Sequence, residues 1–330
     1  MDMNAKRVAQ VTDGYGSMMT SDSLEPLDYE IIEQLLQTNA ANNATAERTH
    51  RARSSDTKRF AQWCAQHGHQ ALPASAKTLT RFIEEMIEEK ALATVRRYVS
   101  SISTLHNVAQ HPNPTQDPMV REALRRVADR PPRAAKGTKP ISREMVQRMV
   151  NASLGTLRDQ RDVALLMVAY DTMFRRTEVV ALDVANLHFG RDGFATVTAP
   201  VAFSSEEQGP ATRCIAPDTT RAVEGWMRAA NIAHGPLFRS IDRAGVIGDR
   251  LSDRGLVRAF KRLARQAGLD PNGVSGLSAR VGAARDMMRE GFQVSEVMQA
   301  GGWRSPVMVT RYRDLKSGTA RNQESQGVSR

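Results

Sequence analysis

A chain of 330 residues is long enough for two ordinary domains, each with a buried core of its own. Its formal net charge of +10 favours a polyanionic partner, although charge alone is also compatible with a basic protein that has no role in nucleic-acid binding. The sequence has no apolar run near the roughly 20 residues of a membrane span and no apolar signal segment at its start. Its two cysteines, Cys64 and Cys214, are far apart, which argues against a disulfide framework or a zinc site. We therefore expect a cytoplasmic protein.

The first part of the chain has a helical pattern. Residues 1–28 are polar and show no periodicity, which predicts a flexible tail. From 29 to 129 the apolar residues recur at helical spacing, and no segment alternates as a strand does. The predicted helices begin near residue 31 and then cover 45–67, 76–88, 92–110 and 118–128. Four or five helices with short connections predict a compact helical domain.

Basic residues cluster on two of these predicted helices. Arg51 and Lys58 lie on 45–67, and Arg96 and Arg97 lie near the start of 92–110. For any single residue an ordinary solvated surface is the simpler interpretation. The clustering on two helices favours contact with the DNA backbone.

Residues 130–141 form the clearest boundary in the sequence. The stretch combines prolines, which end helices, with four positive charges between Arg130 and Pro140. It predicts an extended basic linker that can lie along a phosphate backbone, with Arg133 and Lys136 among its contacts. A plain hinge is the alternative, and both interpretations can hold.

The second predicted domain covers residues 142–317. It begins with a capped helix start at Ser142 and continues into a strongly apolar, buried helix at 159–174. Two short strands, 194–198 and 212–216, flank a polar loop and predict a small antiparallel sheet. The fold class is therefore mainly α, with a small sheet in the second domain.

A strongly basic amphipathic helix is predicted at 251–265. Its polar face carries Arg254, Arg258 and Lys261. Such a helix suits the major groove of DNA, where an arginine fork that reads guanine contributes about 1–3 kcal/mol of discrimination. For Arg258 and Lys261, contact with phosphate or plain solvation is the simpler interpretation.

The run Ser278–Asp286 predicts the start of a helix, with Ser278 as its N-cap. This places Arg280 in the first turn. There both the guanidinium and the free N–H groups of the helix suit a bound anion.

Two further short helices follow. The first, 293–300, closes at a pair of glycines that precede Trp303. The second, 307–314, carries Tyr312 between two arginines, nine residues past Trp303. This is an unusual place for a core aromatic, and a suitable one for a nucleophilic tyrosine, because the cations stabilise its phenolate.

The motifs SARVGAARD, QAGGW and the single tyrosine, in this order and at this spacing, resemble those of the tyrosine recombinases (phage integrase family), and most of all its Cre-like branch. The resemblance implies that Tyr312 attacks a DNA phosphodiester and forms a 3′-phosphotyrosyl link. It also implies that Arg175, Arg280 and Trp303 surround the phosphate. Glu178, three residues after Arg175 and on the same predicted helical face, would position that arginine. For an isolated pair, a surface ion pair is the alternative.

The resemblance also implies the partners. These are double-stranded DNA with an inverted-repeat site, bound by a homodimer that pairs into a homotetramer. Residues 29–129 resemble the family's core-binding domain in their helix pattern, and Arg254 resembles in position a DNA-reading arginine of the Cre-like branch. No cofactor is expected, because a covalent link conserves the energy of the broken bond. The protein would associate with the nucleoid when bound to DNA.

Two departures from the family pattern concern proton transfer. The family's histidine, three residues before Arg280, is Leu277 here, and the place of its lysine falls on Phe203 when counted back from the second strand. Arg213 or another basic group is a candidate substitute, although arginine is a poor proton donor. The tail, 318–330, is polar, so assembly into a tetramer would be weaker or differently built.

Three hypotheses follow from these observations. The favoured one is a site-specific recombinase. The second is a DNA-binding accessory protein, derived from a recombinase, whose catalysis is weak or lost. A relaxing activity like that of type IB topoisomerases is a more distant third, and the C-terminal motifs disfavour an ordinary helix-turn-helix regulator.

Overall fold

The computed structural model describes residues 44–130, 138–200 and 209–313, except the side chains of 44–48 and 313. Contacts divide the chain into two units, residues 1–135 and 136–330. Several predictions lie outside the described residues: those on the tails 1–28 and 318–330, on Arg133 and Lys136, and on Phe203. Within the described ranges, no helix combines the length and the apolar composition that crossing a membrane requires.

The described part of the first unit is helical, as predicted. Its helices are α1 (Ala44–Gln66), α2 (Ala76–Glu89), α3 (Leu92–Val108) and α4 (Pro118–Ala128). Local chemistry sets two of the starts. Ser75 caps α2 by accepting a hydrogen bond from Thr78 N, and Asp117 caps α4 by accepting one from Met119 N.

The apolar faces of these helices form one core. Phe60 and Phe82 are fully buried, and their rings meet edge to face at 5.0 Å. Burying each such side chain contributes about 1.5–3 kcal/mol. The core also holds a polar group, His106, whose Nε2 accepts a hydrogen bond from Ala74 N at 2.9 Å. Its Nδ1 lies 2.8 Å from the Ile102 carbonyl, so the ring is held as a neutral tautomer.

The described part of the second unit is mostly helical. Its helices are α5 (Arg143–Asn151), α6 (Leu157–Thr172), α7 (Arg176–Ala181), α8 (Pro217–Ala229), α9 (Asp253–Gln266), α10 (Ser278–Arg289), α11 (Val294–Gly301) and α12 (Pro306–Arg313). Ser142 caps α5 as predicted, because its side chain accepts a hydrogen bond from Met145 N. Helix α6 packs against α8, α9 and α10, and residues around its circumference, among them Leu165 and Val168, are fully buried. This explains its nearly continuous apolar sequence.

Two small antiparallel sheets complete the second unit. The first has the order β1 (Leu187–Phe189), β2 (Ala195–Thr198), β3 (Thr212–Ile215), and the second pairs β4 (Arg239–Ile241) with β5 (Ile247–Arg250). In the register of the first sheet, Val197 of β2 is paired with Leu187 of β1 on one side and with Arg213 of β3 on the other. Strands β2 and β3 are those expected from the sequence, whereas β1, β4 and β5 were not predicted. Strands of three or four residues are too short to show a clear alternation.

Candidate active site

Arg175 and Glu178 lie where α6 turns into α7. Helix α6 ends at Thr172 and is followed by Met173, its C-cap residue, which adopts the left-handed conformation (φ 50°). Arg175 then precedes α7 in extended backbone. The buried carboxylate of Glu178 accepts hydrogen bonds from Arg175 N at 2.6 Å and from its Nη1 at 2.7 Å. The sequence predicts the two residues on one helical face. In the structure they instead form the cap of α7. This cap holds a half-exposed guanidinium at a fixed place.

Arg280 lies in the first turn of α10, as predicted, although Ser278 is not the cap of this helix. Ser278 is already helical, and its buried hydroxyl accepts a hydrogen bond from Ser275 N at 2.8 Å. The Arg280 side chain is 4% exposed, and its Nη1 donates to the Met173 carbonyl, two residues before Arg175. Burial, followed by repulsion from Arg175, lowers the pKa of Arg280 to about 10. It therefore stays charged at neutral pH.

A backbone contact fixes the start of α10. Ile141 N donates to the Ser278 carbonyl at 2.9 Å, and the Ile141 carbonyl lies against Gly282. A Cβ at Gly282 would stand 1.7 Å from that carbonyl oxygen. Glycine therefore allows the chain before α5 to run directly along the helix that carries Arg280.

Trp303 covers the Arg280 guanidinium. Helix α11 ends at Gly302, which is left-handed (φ 68°), and this turn brings the Trp303 ring back over Gly301. The Arg280 Cζ lies 4.1 Å from the centroid of the ring, which is cation–π distance. The indole thus packs on the cation that α10 supplies.

Tyr312 completes the cluster from α12. Its ring centroid lies 6.0 Å from that of Trp303 in an edge-to-face arrangement, and the residue is 9% exposed. Electrostatic interactions link Arg280 to Arg175, Glu178 and Tyr312. The five predicted catalytic residues therefore come together from α7, α10, α12 and the turn after α11.

The position of the family's histidine has no proton-transfer group. Leu277, directly before α10, is exposed over 42% of its surface. Arg213, considered above as a substitute acid, donates to backbone carbonyls at the end of α11. A cluster of His, Cys, Asp and Glu side chains that could hold a metal ion is absent from the described ranges.

The basic residues of α9 divide between two environments. Arg254 and Arg258 are exposed and Lys261 is partly exposed, so all three can meet a polyanion. Arg262, on the same helix, instead forms an ion pair with the fully buried Asp162. The charge of Arg262 is therefore paired inside the second unit.

The predicted DNA-binding residues of the first unit are also in different settings. Arg51 is exposed and Lys58 is partly exposed on α1, and Arg96 is exposed on α3. Arg97 Nη1 donates to both carboxylate oxygens of buried Asp56, at 2.6 and 2.7 Å. The side chain is still half exposed, but its charge is already paired.

Sequence reasoning missed the residues that shape this cluster. Met173 supplies the left-handed turn before Arg175 without a glycine to mark it, and Gly301 lies beneath the Trp303 ring. The pair of glycines at 301 and 302 is the one signal in the sequence for this turn, and by itself it indicates only a helix end.

This geometry gathers two arginines, a tryptophan and a tyrosine into one cluster. The phage integrase family matches residues 139–318. The integrase/recombinase xerD homolog of Selenomonas ruminantium is 30% identical over an alignment of 281 residues, with 81% of this chain and 81% of that protein covered. The chain belongs to the phage integrase family.

Further relatives agree with this assignment. The recombinase cre of Escherichia phage P1 is 27% identical over 323 residues, covering 88% of this chain and 91% of that protein. Among solved structures, XerH site-specific recombinase bound to its difH substrate in a pre-cleavage complex has a TM-score of 0.59 at 13% identity, covering 86% of this chain and 81% of that one. At this identity the structural likeness concerns the fold, and it confirms the predicted fold class.

Proposed function

We propose that this chain is a site-specific DNA recombinase that cleaves and rejoins DNA through a 3′-phosphotyrosyl intermediate on Tyr312. The observation that carries the proposal is the row of contacts from buried Arg280 through Trp303 to Tyr312, with Arg175 beside it. Membership of the phage integrase family supports the same chemistry.

The negative charge of a phosphodiester is the main obstacle to nucleophilic attack, and the two arginines would neutralise it. Planar guanidinium forks match the non-bridging oxygens and stabilise the additional charge of the transition state. By comparison with oxyanion-hole donors, each contributes about 10²–10³ in rate. Glu178 orients Arg175, the Met173 carbonyl orients Arg280, and the Trp303 indole N–H is a further donor for the phosphate.

Tyr312 supplies the nucleophile. Its phenolic oxygen loses its proton and forms a bond to phosphorus, the bond from phosphorus to the 5′ oxygen breaks, and that oxygen takes up a proton, so that no net proton is consumed. Attack by a 5′ hydroxyl reverses the step and restores the tyrosine. The covalent link keeps the energy of the original bond, so this cycle requires neither a metal nor a nucleotide.

Leu277 favours a second candidate function. A hydrocarbon side chain occupies the place of the family's histidine, and it can neither donate nor accept a proton. A DNA-binding accessory protein with weak or lost catalysis would tolerate this change. An active enzyme would expel the leaving oxygen slowly.

Double-stranded DNA is the partner in both cases. We place helix α9 in the major groove, with Arg254 reading a base, and we place residues 29–129 and the linker 130–141 along the backbone. The proposed backbone contacts are Arg51, Lys58, Arg96, Arg97, Arg133, Lys136, Arg258 and Lys261. The same proposal includes an inverted-repeat DNA site, bound by a homodimer that pairs into a homotetramer. It also includes a catalytic domain at 142–317 and a cytoplasmic location in which the protein associates with the nucleoid.

Covalent capture tests the proposal. A DNA site selected by binding would be made into a nicked suicide substrate, from which the released strand diffuses away. We expect an SDS-resistant adduct with the wild type and with Tyr98→Phe, a control in the first unit, but not with Tyr312→Phe. Salt-sensitive binding without an adduct would identify the accessory protein instead, and equal adducts from all three would refute the assignment of Tyr312.

A further inference from the structure

Arg213 lies on β3, and its side chain binds the C-terminal end of α11. Its Nε donates to the Ala300 carbonyl at 2.6 Å and its Nη2 to the Gln299 carbonyl at 3.2 Å. Its Nη1 donates to the Thr212 carbonyl at 2.9 Å on its own strand. The guanidinium therefore joins the hairpin of β2 and β3 to the end of α11.

The contacted carbonyls lie in the last turn of α11, where a cation is favourable. The Gln299 carbonyl already accepts a hydrogen bond from Gly302 N at 3.3 Å, so Arg213 Nη2 is its second donor. The left-handed Gly302 follows at once, and a Cβ on it would stand 3.9 Å from Arg213 Nη2. Backbone hydrogen bonds from Gly302 N to the Gln299 carbonyl and from Trp303 N to the Met298 carbonyl close the turn that leads into Trp303. Arg213 ties this closed turn to β3.

That turn determines where the Trp303 ring lies. The ring is in contact with the Arg280 guanidinium at 4.1 Å and with the Tyr312 ring at 6.0 Å. Burial lowers the pKa of Arg213, and the negative charge of Glu178 opposes this to a smaller extent. A shift of the turn would move the indole relative to both partners.

The contacts argue against a role for Arg213 as a proton donor to the leaving oxygen. Each of its nitrogens already donates to a backbone carbonyl, and an arginine loses its proton with difficulty. The fork geometry, with two carbonyls of one helix end bound at once, is what an arginine provides and a lysine does not.

We propose that Arg213 is a positioning residue that fixes the end of α11 to the β2–β3 hairpin and thereby holds Trp303 against Arg280 and Tyr312. Its effect on DNA cleavage rests on the proposed function. Its effect on Trp303 does not, so the two can be tested separately.

Fluorine NMR tests the position of Trp303 directly. The chain has three tryptophans, so 5-fluorotryptophan labelling gives three resonances, and Trp303→Phe identifies the one from Trp303. We expect Arg213→Ala to shift or broaden that resonance, Arg213→Lys to do so in part, and Arg221→Ala, an exposed control on α8, to leave it in place. The resonances of Trp63 and Trp226 report that the variants fold. A Trp303 resonance that Arg213→Ala leaves unchanged would overturn the proposal.

The rate of adduct formation tests the consequence for cleavage. With the suicide substrate, Arg213→Ala should form the Tyr312 adduct about 10–100-fold more slowly than wild type at unchanged DNA affinity, since small displacements in a site have effects of this size. A 5′-bridging sulfur, which leaves without a proton, should not restore the rate. Restoration would show a general acid, and a wild-type rate would contradict positioning. If the wild type itself forms no adduct, the proposed function fails, and the fluorine spectra still decide the role of Arg213.

Discussion

An added Cβ at Gly301 would stand 1.9 Å from the Trp303 ring, so only glycine allows the indole to lie there. We predict that Gly301→Ala displaces the ring and slows adduct formation by about 10–100-fold. Gly225→Ala is the matched control, because a Cβ at that site on α8 meets nothing within 4 Å. In a helix interior that change should be neutral or stabilise by up to about 1 kcal/mol. Equal rates for both variants would show that the position of the ring does not matter.

At the scale of single residues, the catalytic side chains are easier to predict from the sequence than the backbone conformations and contacts around them. Arg175, Arg280, Trp303 and Tyr312 stand out because their types and order form motifs. The extended backbone of Arg175 follows from the left-handed Met173, and no residue type in that segment signals such a turn. Settings of this kind depend on packing between segments that are distant in the chain.

At the scale of elements, α9 offers a test of base reading. Arg254→Ala should weaken binding to the preferred DNA site by about 1–3 kcal/mol and relax the sequence preference at one position. Arg258→Ala should weaken binding to all sequences alike and reduce the salt dependence by about one phosphate contact. Binding titrations against a library of sites, at several salt concentrations, distinguish these effects. If Arg254→Ala leaves the sequence preference unchanged, Arg254 does not read a base.

Helix α10 depends on its close contact with the chain before α5. Gly282→Ala would drive a Cβ into the Ile141 carbonyl, and neither backbone can yield easily. We predict a loss of about 1–3 kcal/mol of stability, measured by urea unfolding followed at the fluorine resonance of Trp226. Gly225→Ala again serves as control. A Gly282→Ala variant as stable as the control would mean that the contact can open without cost.

The elements themselves were largely predictable. Helices α1 to α4 begin and end within two residues of the periodic pattern, because long amphipathic segments carry a strong signal. The three strands that the pattern does not predict are short. Strands β4 and β5 pair with each other, and each packs one isoleucine, Ile241 or Ile247, against the core, which is too few apolar residues to show an alternation. Helix α10 begins at Ser278, one residue earlier than predicted, because its N-cap is Leu277, which makes no side-chain capping bond. Arg175 and Glu178 form the cap of α7 and do not share a helical face, an arrangement that residue preferences do not indicate.

At the scale of the whole molecule, one buried histidine makes the stability of the first unit depend on pH. Burial lowers the pKa of His106 below its ordinary value of 6.5, with a smaller contribution from His111. As the pH falls through 6.5, the unfolded chain binds a proton that the folded unit does not. The free energy of unfolding should therefore decrease below about pH 6.5 and be constant above it with respect to this group.

The buried Cys64 reports this unfolding in the full chain. The urea concentration at which pulsed thiol labelling reaches Cys64 should fall with pH in the wild type and fall less in His106→Gln, which cannot be protonated. Cys214 is exposed and serves as an internal control for labelling. The same decrease in both proteins would assign the pH dependence to other groups.

The central claim is that Tyr312 carries the broken DNA strand. The most direct measurement is mass spectrometry of the adduct trapped on a nicked suicide substrate, after digestion of both protein and DNA. We predict one modified peptide, with a nucleotide joined through its 3′ phosphate to Tyr312. A nucleotide on any other residue, or DNA that is bound but never joined to the protein, would contradict it.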